Sequence, residues 1–246
     1  MASIKDAFEE SMQDSNAIWK YVIFAIPVYY CVQLYLSGAW FGFWTLVIPT
    51  YFLLFGFLAG CTANVRNGKS SVLPSFNIFK LFWDGIKGTV ALGPSIAINC
   101  WLASLIANLL PNYLVEPKTC AIFQGVVWAL FGAIILTGYL CYAKRFRILD
   151  AYNFKTISES CVDILVAVLF MLPQVAIANA LLLVPVTYII WIFLGIPHPV
   201  ATYYWCMVGI FNLAMCGHYL AQVDFENIKT EEKEEQINIL SNTQED

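Results

Sequence analysis

Residues 62–94 read TANVRNGKSSVLPSFNIFKLFWDGIKGTVALGP, and they decide how the rest of the chain is understood. The stretch opens on a polar turn of Arg66, Asn67, Gly68 and Lys69, residues that are costly to place in hydrocarbon. Beyond Leu73 and Pro74, Phe76, Phe79, Trp83 and Ile86 recur at helical spacing, while Lys80, Asp84 and Lys87 fall on other faces. An apolar run follows without a break. The pattern predicts an amphipathic helix that lies at a membrane surface and then leads the chain into the bilayer.

The composition agrees. Of 246 residues, 60% are hydrophobic and 12% charged, with a mean hydropathy of +0.69. Soluble domains carry about 25% charged residues. The chain therefore reads as an all-α integral membrane protein. Its net charge of -4 comes largely from acidic ends, and no basic domain suited to nucleic acid is present. The first sixteen residues carry Asp6, Glu9, Glu10 and Asp14 where a secretory signal needs a basic start and an apolar middle, so the first span is expected to act as its own insertion signal. Residues 1–16 themselves read as an amphipathic helix on the inner surface, with Ile4, Phe8 and Met12 as its apolar stripe. Eight cysteines are scattered singly, with no Cys-x-x-Cys or Cys/His spacing, and read as small apolar residues rather than metal ligands or a disulfide framework.

Six spans of about 20 residues or more suffice to cross a hydrocarbon core of about 30 Å. They are expected at residues 17–36, 40–61, 89–110, 120–143, 162–184 and 200–222. The apolar run 162–196 is too long for one crossing, so 185–199 is expected as a broken or interfacial segment on the outer side. A second amphipathic piece is expected at 148–161. The sides follow from Lys and Arg. Lys5, Lys20, Arg66, Lys69, Lys80, Lys87, Lys144, Arg145, Arg147, Lys155, Lys229 and Lys233 fall on one face, and Lys118 alone on the other. This positive-inside asymmetry predicts both termini in the cytoplasm. Residues 1–222 form one polytopic domain, and 223–246 an acidic, mobile cytoplasmic tail.

The chain also carries an internal repeat over residues 1–61, 62–143 and 144–222, each unit an amphipathic segment followed by a helical hairpin. At an offset of 79, Ile78 aligns with Ile157, Asp84 with Asp163, and Pro94 with Pro173, while Pro27 takes the matching place in the first unit.

The run Val65-Arg66-Asn67-Gly68-Lys69, followed by Leu73-Pro74, Phe76 and Phe82-Trp83-Asp84-Gly85-Ile86-Lys87, resembles the polytopic membrane proteins of domain-of-unknown-function family 4013. Ile86 stands where that family usually has Leu. The closing Gly217-His218-Tyr219-Leu220-Ala221-Gln222 is similar to the family's last element, with Ala221 for Gly. The resemblance implies a prokaryotic cytoplasmic (inner) membrane and carries no catalytic, cofactor or metal residues over.

Two readings fit Asp84 and Asp163. As carboxylates near spans they are candidate coupling groups of a small transporter or channel. As residues near helix starts they complement the helix dipole, and Lys80 and Lys87 lie within i,i+4 and i,i+3 reach of Asp84. The basic residues Arg66, Lys69, Lys144, Arg145 and Arg147 are candidate contacts for anionic lipid headgroups, and they also serve orientation. Neutral Gln33, Asn99, Asn108, Gln124, Gln174, Asn179 and Asn212 within spans suit interhelical hydrogen bonds, and Gly56 and Gly60 suit close helix packing. No nucleophile motif, phosphate loop or paired catalytic carboxylates occur. The sequence points to a non-enzymatic protein that organises lipid or joins a membrane-protein partner, with the transporter as alternative.

Overall fold

The computed structural model describes residues 4–14, 16–69, 71–109, 117–196 and 198–223. The acidic tail 224–246, with Lys229 and Lys233, and the loop 110–116, with Glu116, lie outside the described residues; nothing is described of the Lys118 side chain. Seven α-helices follow one another: α1 (Ile4–Gln13), α2 (Ala17–Leu36), α3 (Trp40–Arg66), α4 (Ile78–Leu109), α5 (Pro117–Arg145), α6 (Phe154–Leu194) and α7 (Pro199–Val223). A short 3-10 turn, Ile148–Tyr152, precedes α6. No strand occurs among the described residues. The six helices from α2 to α7 are long and apolar enough to cross a membrane.

α3 is the centre. It packs against α2, α4, α5 and α7, and its longest contact is with α4. Glycine makes that contact possible. A Cβ built on Gly56 would stand 1.8 Å from the Leu81 carbonyl oxygen, and one on Gly85 1.8 Å from that of Phe52. The two backbones thus touch where neither has a side chain, the arrangement small residues permit in membrane helices. Gly60, one turn on, lies under Pro74. Just past the end of α3 stands Gly68, whose φ of +62° is left-handed and open to glycine at no steric cost. The amides of Gly68 and Lys69 then bond back to Val65 and Asn64, satisfying the last carbonyls.

α1 does not lie on a surface by itself. It docks on the bundle, chiefly against α7, burying Ala7 and Ser11 and leaving Met12 exposed. Phe8 meets Phe211 edge-on at 5.1 Å, Tyr21 donates to the Ser11 carbonyl at 2.8 Å, and Glu10 pairs with buried His218 at 2.8 Å. The inward stripe is therefore Ile4, Ala7, Phe8 and Ser11. Large apolar residues marked the expected stripe, but against another helix small residues allow the closer approach.

α6 also departs from expectation. Residues 185–194 are not a separate, broken segment; they continue one helix of 41 residues with Pro173 and Pro185 inside it. Proline at 185 removes the bond to the Leu181 carbonyl and loosens the turn. α7 braces the helix on either side of Pro185: Tyr204 donates to the Leu182 carbonyl at 2.9 Å, and the Trp205 indole to the Thr187 hydroxyl at 2.7 Å. The helix is about 61 Å long at 1.5 Å per residue. It ends at Gly195, with φ +83°. The amphipathic piece expected at 148–161 likewise divides, into the 3-10 turn and the first two turns of α6, and Asn153 caps the latter through the Thr156 amide.

Candidate functional site

One end of the bundle gathers most of the described basic residues. There α1, the start of α2, the end of α3, residues 67–77, the start of α4 and residues 146–153 meet. The Glu10–His218 pair brings the end of α7 to the same place. Tyr139 and Thr62 share a hydrogen bond of 2.8 Å, Thr62 lies 3.3 Å from the Gly217 carbonyl, and Tyr142 donates to the Asp84 carbonyl at 2.7 Å. These bonds lock α3, α4, α5 and α7 together at one level.

A cavity of about 500 Å³ opens within this end. Lys20 of α2, Asn64 of α3, Lys69 and Ser71 of the connecting loop, and Lys80 and Asp84 of α4 contribute its polar lining, with Leu73, Leu81 and Phe146 as apolar wall. The loop is tied in place from both sides. Asp14 accepts from Lys20 at 2.7 Å and from Ser71 at 2.8 Å, while Asn64 donates to the Val72 carbonyl at 3.3 Å and accepts from Lys69 at 3.0 Å. Burial raises the Asp14 carboxyl pKa, but the hydrogen bonds from Lys20, the Asn16 amide and Ser71 outweigh it and hold the group below the usual carboxylate value. Phe146 reaches the wall because its backbone turns left-handed, at φ +55°, a conformation uncommon for a bulky residue.

The candidate residues divide. Asp84 is in the cavity wall and only 7% exposed, and its carboxylate accepts no hydrogen bond from the described residues. Asp163 is exposed on α6 and lines no part of this cavity. α5 packs on both α4 and α6, and the two carboxylates do not form a pair across the bundle. Lys69 lines the cavity. Arg66 does not present itself to a surface: it is 8% exposed, and its guanidinium donates to the Leu140 carbonyl across to α5. The last turn of α3 is thereby drawn into the bundle, which the polarity of the Arg-Asn-Gly-Lys run did not reveal. Arg145 and Arg147 are exposed and Lys144 is half-buried, all outside the cavity lining.

Lys20 and Lys80 complete the cavity's basic lining; the sequence reading placed Lys20 at the headgroup level and Lys80 beside Asp84 but named neither as a headgroup contact. The neighbours Trp19 and Phe79, both exposed, were the available signal that these lysines stand at an interface. Among the described residues, no three His, Cys, Asp or Glu side chains converge as a metal site would require. Some span amides act as expected between helices: Asn212 donates to Asn179 at 2.6 Å, and Gln124 to the Ala107 carbonyl at 3.1 Å. Asn99 and Asn108 instead bond within α4, to Ser95 and Ser104. No family model, curated protein or solved structure matches the chain, which leaves the geometry of its basic end as the ground for a functional reading.

Proposed function

We propose that this is a non-enzymatic protein of a prokaryotic cytoplasmic membrane, with its basic end in the cytoplasm, that organises lipid and contacts membrane-protein partners there. The supporting observation is the basic end itself. Lys69, Lys80, Arg145, Arg147 and Lys155 are exposed around it, and each such charge near an anionic leaflet contributes about 1 kcal/mol. The family resemblance of residues 65–87 supports the choice of membrane. Native mass spectrometry of the protein gently extracted from its own membrane tests the reading. Phospholipid carried through dilution is the expected result; a lipid-free chain that retains a small soluble solute would contradict it.

One observation favours a transporter or channel instead, namely the buried Asp84 carboxylate in a cavity, without a hydrogen-bond donor among the described residues. In that reading Asp84 and Asp163 couple a proton or cation to movement. Proteoliposomes loaded with a pH-sensitive dye decide it. Proton flux under an imposed potential, abolished by Asp84→Asn with Asp163→Asn in a chain that still melts cooperatively, would establish the transporter; flux no greater than in protein-free vesicles removes it.

A further inference from the structure

We propose that the cavity between Lys20, Asn64, Lys69, Lys80 and Asp84 is a binding site for a phospholipid headgroup whose phosphate is followed by a hydrogen-bond donor, an ammonium or a hydroxyl. The proposal rests on the lipid-organising reading and assigns it a site and a chemistry.

Three features of the cavity converge on this ligand. First, its charge is arranged in two parts. Lys69 and Lys80 are exposed on the loop and on the first turn of α4, and Lys80 makes no side-chain hydrogen bond or ion pair with any described residue. Lys20 is already held by Asp14 at 2.7 Å. Lys69 donates one bond to Asn64 at 3.0 Å and has two further N–H donors, so with Lys80 two ammonium groups can reach an anion at the rim, the chemistry a phosphodiester takes. Second, Asp84 lies deeper. The residue is 7% exposed, its carboxylate lines the cavity, and it accepts no hydrogen bond from the described residues. Lys87 and Lys80 on its own helix provide positive charge nearby, and a donor on a ligand entering the cavity would add the hydrogen bond that the described residues do not. An anion alone would be repelled by Asp84, whereas a phosphate with a donor beyond it satisfies both parts.

Third, the surroundings suit a lipid rather than a soluble phosphate. Trp19, next to Lys20, and Phe79 and Trp83, flanking Lys80 and Asp84, are all exposed, Phe79 at 88%. Aromatic side chains at this level mark the boundary between headgroups and acyl chains. The cavity volume of about 500 Å³ is within the range of small-molecule sites and exceeds what a lone phosphate would fill. Acyl chains would then run along the apolar faces of α2 and α4 that carry Ile18, Ile23, Val90 and Ile98, all exposed.

The full chain in mixed micelles containing equal phosphatidylethanolamine, phosphatidylglycerol and phosphatidylcholine provides the test, with retained lipid counted by native mass spectrometry. Phosphatidylcholine has the same phosphate but no donor on its headgroup. The wild type is expected to retain the first two at least about tenfold over phosphatidylcholine, a difference of about 1.4 kcal/mol. Lys69→Ala with Lys80→Ala should reduce retention of all three. Asp84→Ala should leave retention but erase the preference, and the isosteric Asp84→Asn should retain phosphatidylglycerol while losing phosphatidylethanolamine. Thermal melting of each variant identifies any that fail to fold, and Asp84→Asn is the decisive one if Asp84→Ala does. Equal retention of phosphatidylcholine by the wild type, or a preference that survives Asp84→Ala, overturns the proposal while leaving lipid organisation standing. Absence of any retained lipid removes both. Displacement of lipid by millimolar glycerol 3-phosphate assigns the site to soluble phosphates and overturns the lipid assignment.

Discussion

The pair α3 and α7 and the pair α5 and α6 are built from helices of the same class and have opposite fates. In α3 and α7, 44% of the apolar stretch is buried inside the protein; in α5 and α6 the share is 11%. Hydropathy runs the other way. It is 1.8 and 1.3 for the buried pair against 2.1 and 2.3 for the exposed pair. In water the most apolar helix would be the core. Here the surroundings are as apolar as leucine, so burial is won by close packing and hydrogen bonding rather than by hydrophobicity. α3 and α7 have what such a centre needs, in Gly56, Gly60, Thr62, Gly217 and His218. α5 and α6 present Trp128, Leu169, Phe170 and Leu181 outward.

The comparison breaks most sharply at glycine. Gly56→Leu or Gly85→Leu would drive a side chain into the carbonyl of the facing helix, 1.8 Å from the first added carbon, and should abolish folding or lower stability by several kcal/mol, as overpacking at a backbone contact does. Gly132→Ala in α5, where nothing lies within 4 Å, should be neutral or stabilising by up to about 1 kcal/mol. Melting temperatures of the detergent-solubilised variants compare them directly. Equal losses at Gly85 and Gly132 would mean that the α3–α4 crossing is not where the protein is held.

A smaller effect sharpens the same contrast. Thr62→Val removes hydrogen bonds reaching both Tyr139 and Gly217 and should cost about 1 kcal/mol, near the upper part of the range for single interhelical bonds in membranes. Its melting temperature should fall further than that of Asn108→Leu in α4, where the amide, among the described residues, bonds to Ser104 on its own helix.

The described residues were legible mainly where length and polarity decide. α2 occupies 17–36 as read, because Asp14 and Asn16 punctuate its start and Ser37-Gly38 its end. α4 and α7 also keep to their expected spans at the far and near ends respectively. What remained hidden depends on partners distant in sequence. Nothing local to Pro185 announces that Tyr204 will support the turn before it, and nothing local to Arg66 announces the Leu140 carbonyl. Asp84 and Asp163 match in sequence position, yet one lines a cavity and the other lies on an open helix face. For the candidate site, Lys69 was readable from its polar turn, while Lys20, Asn64 and Ser71 join it only through folding.

The Asp14 link supplies a weaker, pH-dependent test. Its carboxyl titrates below the unfolded value of about 3.9, so the tie from Asp14 to Lys20 and Ser71 contributes stability above that pH and loses it as the pH falls through the folded value. Melting temperature should drop between about pH 5 and pH 3. Asp14→Asn should start lower and lose part of that drop. A mutant with the wild-type acid profile would exclude Asp14 as a contributor. Smallest of all, Leu169→Ala on the outer face of α6 should change stability by less than about 0.5 kcal/mol, since that side chain is exposed in the bundle.

The most direct measurement is photolabelling of the reconstituted protein with an apolar carbene probe dissolved in the bilayer, read residue by residue by mass spectrometry. Label concentrated on Trp128, Leu169, Phe170 and Leu181, with Phe57, Leu92 and Met215 spared, is the predicted result. Labelling of Phe57 and Met215 at the level of α6 would contradict an interior built on α3 and α7.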